Sequence, residues 1–244
     1  MEEQNIVNPQ AEKEARKEAQ RKADRARAMK AKFGRIARIG AAVLGVVIAI
    51  GGLIYLAERN DVDQPSPLSG EVTAADHVIG NENASVTIFE YADFQCPACA
   101  SYHPVIKQVL AQYPEDVRVV FRHFPLRTIH PNAEGASRAA EAAGNQGKFF
   151  EMHDLLFNNQ TRWSNLPNPT STFEEYALSL GLDMDKYQAD FSSGEVRARV
   201  QADVESGIRA NVTGTPTFFI NGTPINSPRG LDGFITEIEK ALGR

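Results

Sequence analysis

The longest apolar run in the chain, IGAAVLGVVIAIGGLIYLA at residues 39–57, carries no charge over 19 positions. As a helix rising ~1.5 Å per residue it covers most of a ~30 Å hydrocarbon core, which predicts a single transmembrane helix. A cleaved signal peptide is the competing reading, but the polar stretch before the run is far longer than a signal n-region and no cleavage site is well placed after it. Beyond residue 75 the pattern becomes that of a globular α/β unit. Residues 85–92 (SVTIFEYA) and 117–123 (VRVVFRH) alternate and are rich in β-branched and aromatic side chains, so both predict strands. Residues 97–112 between them read as a helix, completing a β-α-β unit. Helices are expected over 132–143, 148–157, 172–180, 184–191 and 195–210, punctuated by Gly144, Gly147, Gly181 and Gly194, with Thr172 and Glu175 spaced as a capping box. Residues 217–220 and 224–225 flank Asn221-Gly222, a hairpin signal, and residues 231–242 close the chain as a helix. The expected architecture is an α/β sandwich with an embedded helical subdomain at about 132–210.

Charge divides the chain at the apolar run. The net charge of −5 averages a basic segment, residues 1–38 with 11 Lys and Arg against 6 Asp and Glu, and an acidic remainder with 15 against 25. Lys30, Lys32, Arg35 and Arg38 precede the run and Glu58, Asp61 and Asp63 follow it, so the positive-inside rule leaves the N-terminus in the cytosol and places the large domain outside. The expected organisation is therefore a cytosolic basic segment (1–38), a transmembrane helix (39–57), a polar Pro- and Gly-containing linker (58–75) and an extracytoplasmic domain (76–244). At 42% hydrophobic residues over 244 positions, a wholly disordered chain, a collagen and a disulfide-stapled miniprotein are excluded. No phosphate loop or nucleic-acid motif is present.

The chemistry centres on Cys96-Pro97-Ala98-Cys99, which holds the chain's only two cysteines. Where strand gives way to helix, Cys96 falls at the N-cap and Pro97 at the first helical position, where its missing N–H costs nothing. Free amides and the helix dipole stabilise a thiolate there, making Cys96 the exposed nucleophile, with Cys99 a turn further in, more buried and able to form or resolve a disulfide. Two other uses of the pair exist. A structural disulfide closing so short a loop removes little chain entropy. A metal site could add His103 but finds no fourth ligand in an adjacent pair. Redox exchange fits best, and it needs no cofactor or metal. Glu90, on the alternating face with Val86 and Ile88, is expected to be buried. A buried carboxyl prefers to be neutral and could accept the proton Cys99 loses, unless it is salt-bridged or reaches solvent. His103, His123, His130 and His153 show no spacing that suggests a metal or catalytic pair and read as packing or surface residues. Asp93 and Phe94 are read as shaping the loop.

Three segments in order, FEYADFQCPACASYHP, HPNAEGASRAAEAAGNQGKFFEMHDLLF and GIRANVTGTPTFFING, resemble membrane-anchored bacterial DsbA-family thiol-disulfide oxidoreductases over residues 76–244. The resemblance implies a thioredoxin fold with an inserted helical domain. It also implies that Cys96 and Cys99 are the redox pair, and that Thr215-Pro216 forms a cis-proline loop whose backbone would pair with a substrate strand. Glu90 stands at the offset where the family carries an acid. Ala98 departs from the strong oxidants of the family, which carry histidine there to hold the thiolate. The favoured function is an oxidase that introduces disulfides into exported proteins with free thiols and is reoxidised by a membrane, quinone-linked partner. A reductase or isomerase of the same fold, and a tethered binding or chaperone module with a structural disulfide, are the alternatives.

Overall fold

The computed structural model describes residues 71–225 and 228–244, with Met29 alone before them. The expected cytosolic segment, the transmembrane helix at 39–57 and the linker up to residue 70 lie outside the described residues. Among the described residues no helix is long and apolar enough to cross a membrane.

A five-stranded sheet forms the centre, with strands β1 (His77–Gly80), β2 (Val86–Ala92), β3 (Val117–His123), β4 (Thr217–Ile220) and β5 (Thr223–Ile225) in the order β1-β3-β2-β4-β5. β2 and β3 run parallel, as a β-α-β unit requires, and the other neighbours are antiparallel. All seven residues of β2 are buried, because this central strand has helices on both faces. On one face Val86, Ile88, Val119, Phe218 and Ile220 pack with helices α1 (Pro97–Gln112) and α8 (Gly230–Ala241). On the other, Phe89, Tyr91, Val120 and Phe219 pack with Phe124 and with Val204 of helix α7 (Gly194–Arg209). The period-2 alternation of β2 thus sorts its side chains between two cores rather than between core and solvent.

Between β3 and β4 stand α2 (Ala133–Gly144), α3 (Phe149–Asn158), the single turn α4 (Gln160–Trp163), α5 (Thr170–Ser179), α6 (Met184–Ser192) and α7. Six alanines of α2 are fully buried, and such small side chains let neighbouring helices approach closely. With Trp163, Phe173 and Tyr187, five of them (Ala136, Ala139, Ala140, Ala142 and Ala143) form a third core that reaches Cys96 and Cys99.

Most expected elements are present within a residue or two. Three findings differ. β1 and α4 were not expected, and α7 covers one face of the sheet as well as closing the helical insertion. The Thr172-Glu175 capping box does not form. α5 starts earlier, at Thr170, whose N–H and hydroxyl both bond Asn168 Oδ1 at 3.1 and 2.7 Å. Asn168 therefore supplies the acceptor, Thr172 is buried inside the helix, and Glu175 pairs with Arg162 instead.

Residues around the expected domain start at 76 are tied to the sheet through Arg122 of β3. Its guanidinium makes two 2.8 Å bonds to the Asp76 carboxylate and donates to Tyr91 Oη at 3.0 Å and Glu71 O at 2.9 Å.

Candidate active site

The site is built where β2 ends. Asp93, wholly buried, organises the turn: Oδ1 accepts from Gln95 N at 2.7 Å, while Oδ2 accepts from Leu126 N at 2.9 Å and lies 2.7 Å from His130 Nδ1. Gln160 of α4 reaches across to donate to Phe94 O and Cys96 O at 2.7 and 2.9 Å, and Gln95 accepts from Asn132 N at 2.7 Å. The buried polar backbone of the loop is thus paired before the helix begins.

Cys96 then takes the N-cap of α1 with Pro97 beside it in the first turn, as expected. Both cysteines are free thiols. Cys99 is fully buried, and its Sγ accepts from Asp93 N at 3.5 Å. Thr215-Pro216 is cis, and Thr215 O lies 3.4 Å from Cys96 Sγ, so the loop before β4 stands directly against the nucleophile. The expectation of an exposed Cys96 needs correction: only 7% of the residue is accessible, because this loop and the third core cover it, while Pro97 and Ala98 beside it are exposed.

The two sulfurs are electrostatically unlike. A hydrogen bond from the Cys99 thiol is the largest influence on Cys96; burial opposes it, but the amides of Cys99 and Ala98 add to it, pulling Cys96 down to about 5. By distance and angle the buried Thr215 hydroxyl makes no hydrogen bond among the described residues, and the contact to Cys96 Sγ is from the Thr215 carbonyl. Ala98 therefore removes a side-chain helper without removing thiolate stabilisation, since the helix-start amides remain. Cys99 is pushed far above the ordinary thiol range, first by burial and then by the neighbouring Cys96 sulfur. Glu90 is 4% exposed and is pushed up to about 8 by burial alone; no ion pair reaches it among the described residues. Its charge in turn disfavours ionisation of Cys99, so the two groups are coupled.

These values set a testable pH dependence. Alkylation of the reduced protein should be confined to Cys96, with a rate that rises to half its plateau near pH 5 and stays flat above pH 7. Mass mapping of the modified peptide across pH checks this; a midpoint in the ordinary thiol range of about 8.5 would contradict it.

Glu90 lines a cavity of about 160 Å³ together with His103, Lys107, Phe121, His153 and Asp154. Neither His103 nor His153 is a lone packing residue: both face Asp154, at 3.4 and 3.3 Å. His77 and His123 share one oxygen of Glu141, each at 2.8 Å. All five histidines of the chain thus meet a carboxylate, and two groups, His77/His123/Glu141 and His103/His153/Asp154, have the donor atoms to hold a metal. These acidic partners were missed because helix packing, not spacing, brings Glu141 to His77 and His123 and Asp154 to His103; only the adjacent His153-Asp154 pair stands in the sequence.

Comparison with known proteins adds the following. Residues 72–240 match the family described as Thioredoxin. Among curated relatives, the Na(+)/H(+) antiporter NhaA 3 of Salinispora tropica is 39% identical over 167 residues, 68% of this chain and 25% of that protein. The Na(+)/H(+) antiporter NhaA 1 of Mycolicibacterium gilvum is 33% identical over 216 residues, 85% of this chain and 34% of that protein. The chain spans only a quarter to a third of these relatives' length. Similar solved structures include alpha-DsbA1 from Wolbachia pipientis, at 22% identity and TM-score 0.65 over 74% of this chain and 96% of that one. BdbD from Bacillus subtilis in its oxidised form has 21% identity and TM-score 0.65 over 72% and 98%. At these identities the structural likeness is one of fold.

Proposed function

The chain belongs to the thioredoxin family, and from that premise we propose that its domain is a thiol-disulfide oxidoreductase working through Cys96 and Cys99, with disulfide donation to client proteins as its direction. The observation that carries this reading is the geometry of the pair: Cys96 at the N-cap of α1 against the carbonyl of the cis Thr215-Pro216 loop, with Cys99 fully buried three residues on.

In the oxidised enzyme a client thiolate attacks Cys96 Sγ. The Cys96–Cys99 bond breaks, a client–Cys96 disulfide forms, and the electron pair leaves on Cys99. Cys99 then takes a proton, for which neutral Glu90 is the proposed donor. The client's second thiolate attacks the client sulfur of the mixed disulfide and expels Cys96 as a stabilised thiolate. Two electrons have moved from the client to the pair. Reoxidation reverses the proton step, Cys99 giving its proton to the Glu90 carboxylate, and requires an external two-electron acceptor, for which a quinone-linked membrane partner is proposed. Thr215, whose carbonyl stands beside Cys96, is the proposed docking point for client backbone.

An extracytoplasmic domain on a single membrane anchor is the proposed setting. It is supported by the uncharged run at 39–57 with its charge asymmetry, and by curated relatives that bear the name of membrane antiporters. Ala98 favours a second reading, a reductase or isomerase of the same fold. Both are tested by incubating the oxidised full chain with a reduced dithiol protein. Disulfide appearing in the client, matched by loss of the enzyme's disulfide, is the expected result. Transfer only in the opposite direction, from reduced enzyme to an oxidised client, selects the second reading, and transfer in neither direction overturns both.

A further inference from the structure

We propose that the cavity beside Glu90 binds one zinc-class divalent cation through His103, His153 and Asp154. The donor atoms already stand at ligand spacing. Asp154 Oδ1 lies 3.4 Å from His103 Nε2 and 3.3 Å from His153 Nδ1, and all three atoms fall within 4.8 Å of one another. Two ligands each ~2.0–2.1 Å from a tetrahedral zinc ion are themselves about 3.3–3.4 Å apart. The same separations are long for N–H···O hydrogen bonds, whose usual length is about 2.9–3.0 Å. His103 Nε2 in fact has no hydrogen-bond partner among the described residues, although the residue is 94% buried, at 6% exposure, and lines the cavity. A buried polar atom left without a partner is the exception in folded proteins.

The other histidine cluster supplies the contrast. His77 Nε2 and His123 Nε2 sit 2.8 Å from Glu141 Oε1, ordinary hydrogen-bond distances that close the group on itself. That cluster is joined at ordinary hydrogen-bond lengths and its unpartnered atom, His123 Nδ1, is on the far side of the ring from the shared oxygen, whereas in the proposed site the unpartnered His103 Nε2 is itself one of the three donor atoms.

Lys107 Nζ bonds Asp154 Oδ2 at 2.6 Å, leaving Oδ1 to the histidines, as an outer partner orients a metal ligand. Two imidazoles and one carboxylate, with no thiolate, are the donor set of a zinc site with an open position. The half-exposed Asp154 gives the ion a way in from solvent. The proposal stands apart from the exchange reaction and is tested without it.

The experiment is a calorimetric titration of zinc into the full chain with Cys96 and Cys99 joined as a disulfide, so that no thiolate competes. One ion per chain is expected. Asp154→Asn and His103→Asn should each weaken binding by at least roughly 10-fold, the loss that even an outer-shell change typically causes, whereas His77→Asn should leave it unchanged. Absence of binding to the parent chain, binding that survives Asp154→Asn, or a loss confined to His77→Asn each overturns the proposal. Asp154 is half-exposed and decides the matter alone if the buried His103→Asn variant does not fold.

Discussion

Replacing Cys96 with serine reduces disulfide exchange to the uncatalysed rate. Serine cannot form the mixed disulfide, and Cys99 cannot stand in: it is fully buried and its thiol is held protonated by burial and by the adjacent sulfur. Cys99→Ser behaves differently. It keeps a nucleophile at the helix start, so it reacts once with a small aromatic disulfide and then stays trapped as the mixed disulfide, because the resolving thiol is gone. Stopped assays on the two variants separate attack from resolution. Turnover by Cys96→Ser above the uncatalysed rate contradicts the proposed mechanism.

The second large effect falls on stability and lies away from the sulfurs. Asp76 and Arg122 form a buried pair, at 3% and 2% side-chain exposure, with two 2.8 Å bonds between them. Asp76→Ala leaves the guanidinium buried with only Tyr91 Oη and Glu71 O as hydrogen-bond acceptors, a loss of about 3–5 kcal/mol. For a domain of this size that is a fall in Tm of roughly 6–20 °C. A pH signature accompanies it. Burial raises Asp76, but bonds from Arg122 and Thr73 more than offset this and hold its carboxyl below the usual range. A carboxylate whose folded pKa is depressed contributes stability above its unfolded value, about 3.9, which is lost as pH falls through the folded one. The parent chain therefore loses stability in acid that Asp76→Ala no longer has to lose, and the two melting curves converge as pH falls below about 4. A variant that melts within about 2 °C of the parent at pH 7 contradicts this account of the pair.

Much of this molecule is legible from local pattern, and the parts that are not share a physical cause. The alternation in residues 85–92 and 117–123, the Asn221-Gly222 turn and the Gly punctuation lead to strands and helices the structure contains, because periodicity and turn chemistry are local. β1 escapes notice because four residues, HVIG, are too few for a period; it exists by pairing antiparallel to β3. α4 is one turn long, yet it delivers Gln160 to the Cys96 carbonyl from 64 residues away, a contact that only packing creates. The cysteine pair and Thr215-Pro216 are found through motif, and burial of Glu90 follows from strand alternation. Asp93, read as a loop-shaping residue, turns out to be the fully buried acceptor for three donors, with its own amide on Cys99. Ala98 lacks the side chain that the family's strong oxidants use on the thiolate, and what pulls Cys96 down to about 5 is instead the Cys99 thiol with the backbone amides at the start of α1, a contribution that no residue pattern displays.

On the proposed function, this domain gives disulfides away because its reduced form is the stabilised one. The most direct test is the equilibrium reduction potential of the Cys96/Cys99 pair in the full chain, set against glutathione buffers. A thiolate held at about 5 favours the reduced state at neutral pH, so a value near about −120 to −180 mV is expected, in the range of protein disulfide oxidants and isomerases. A value of about −270 mV or lower contradicts the claim and assigns the pair to a reductase that must be supplied with electrons, or to a disulfide with no part in exchange.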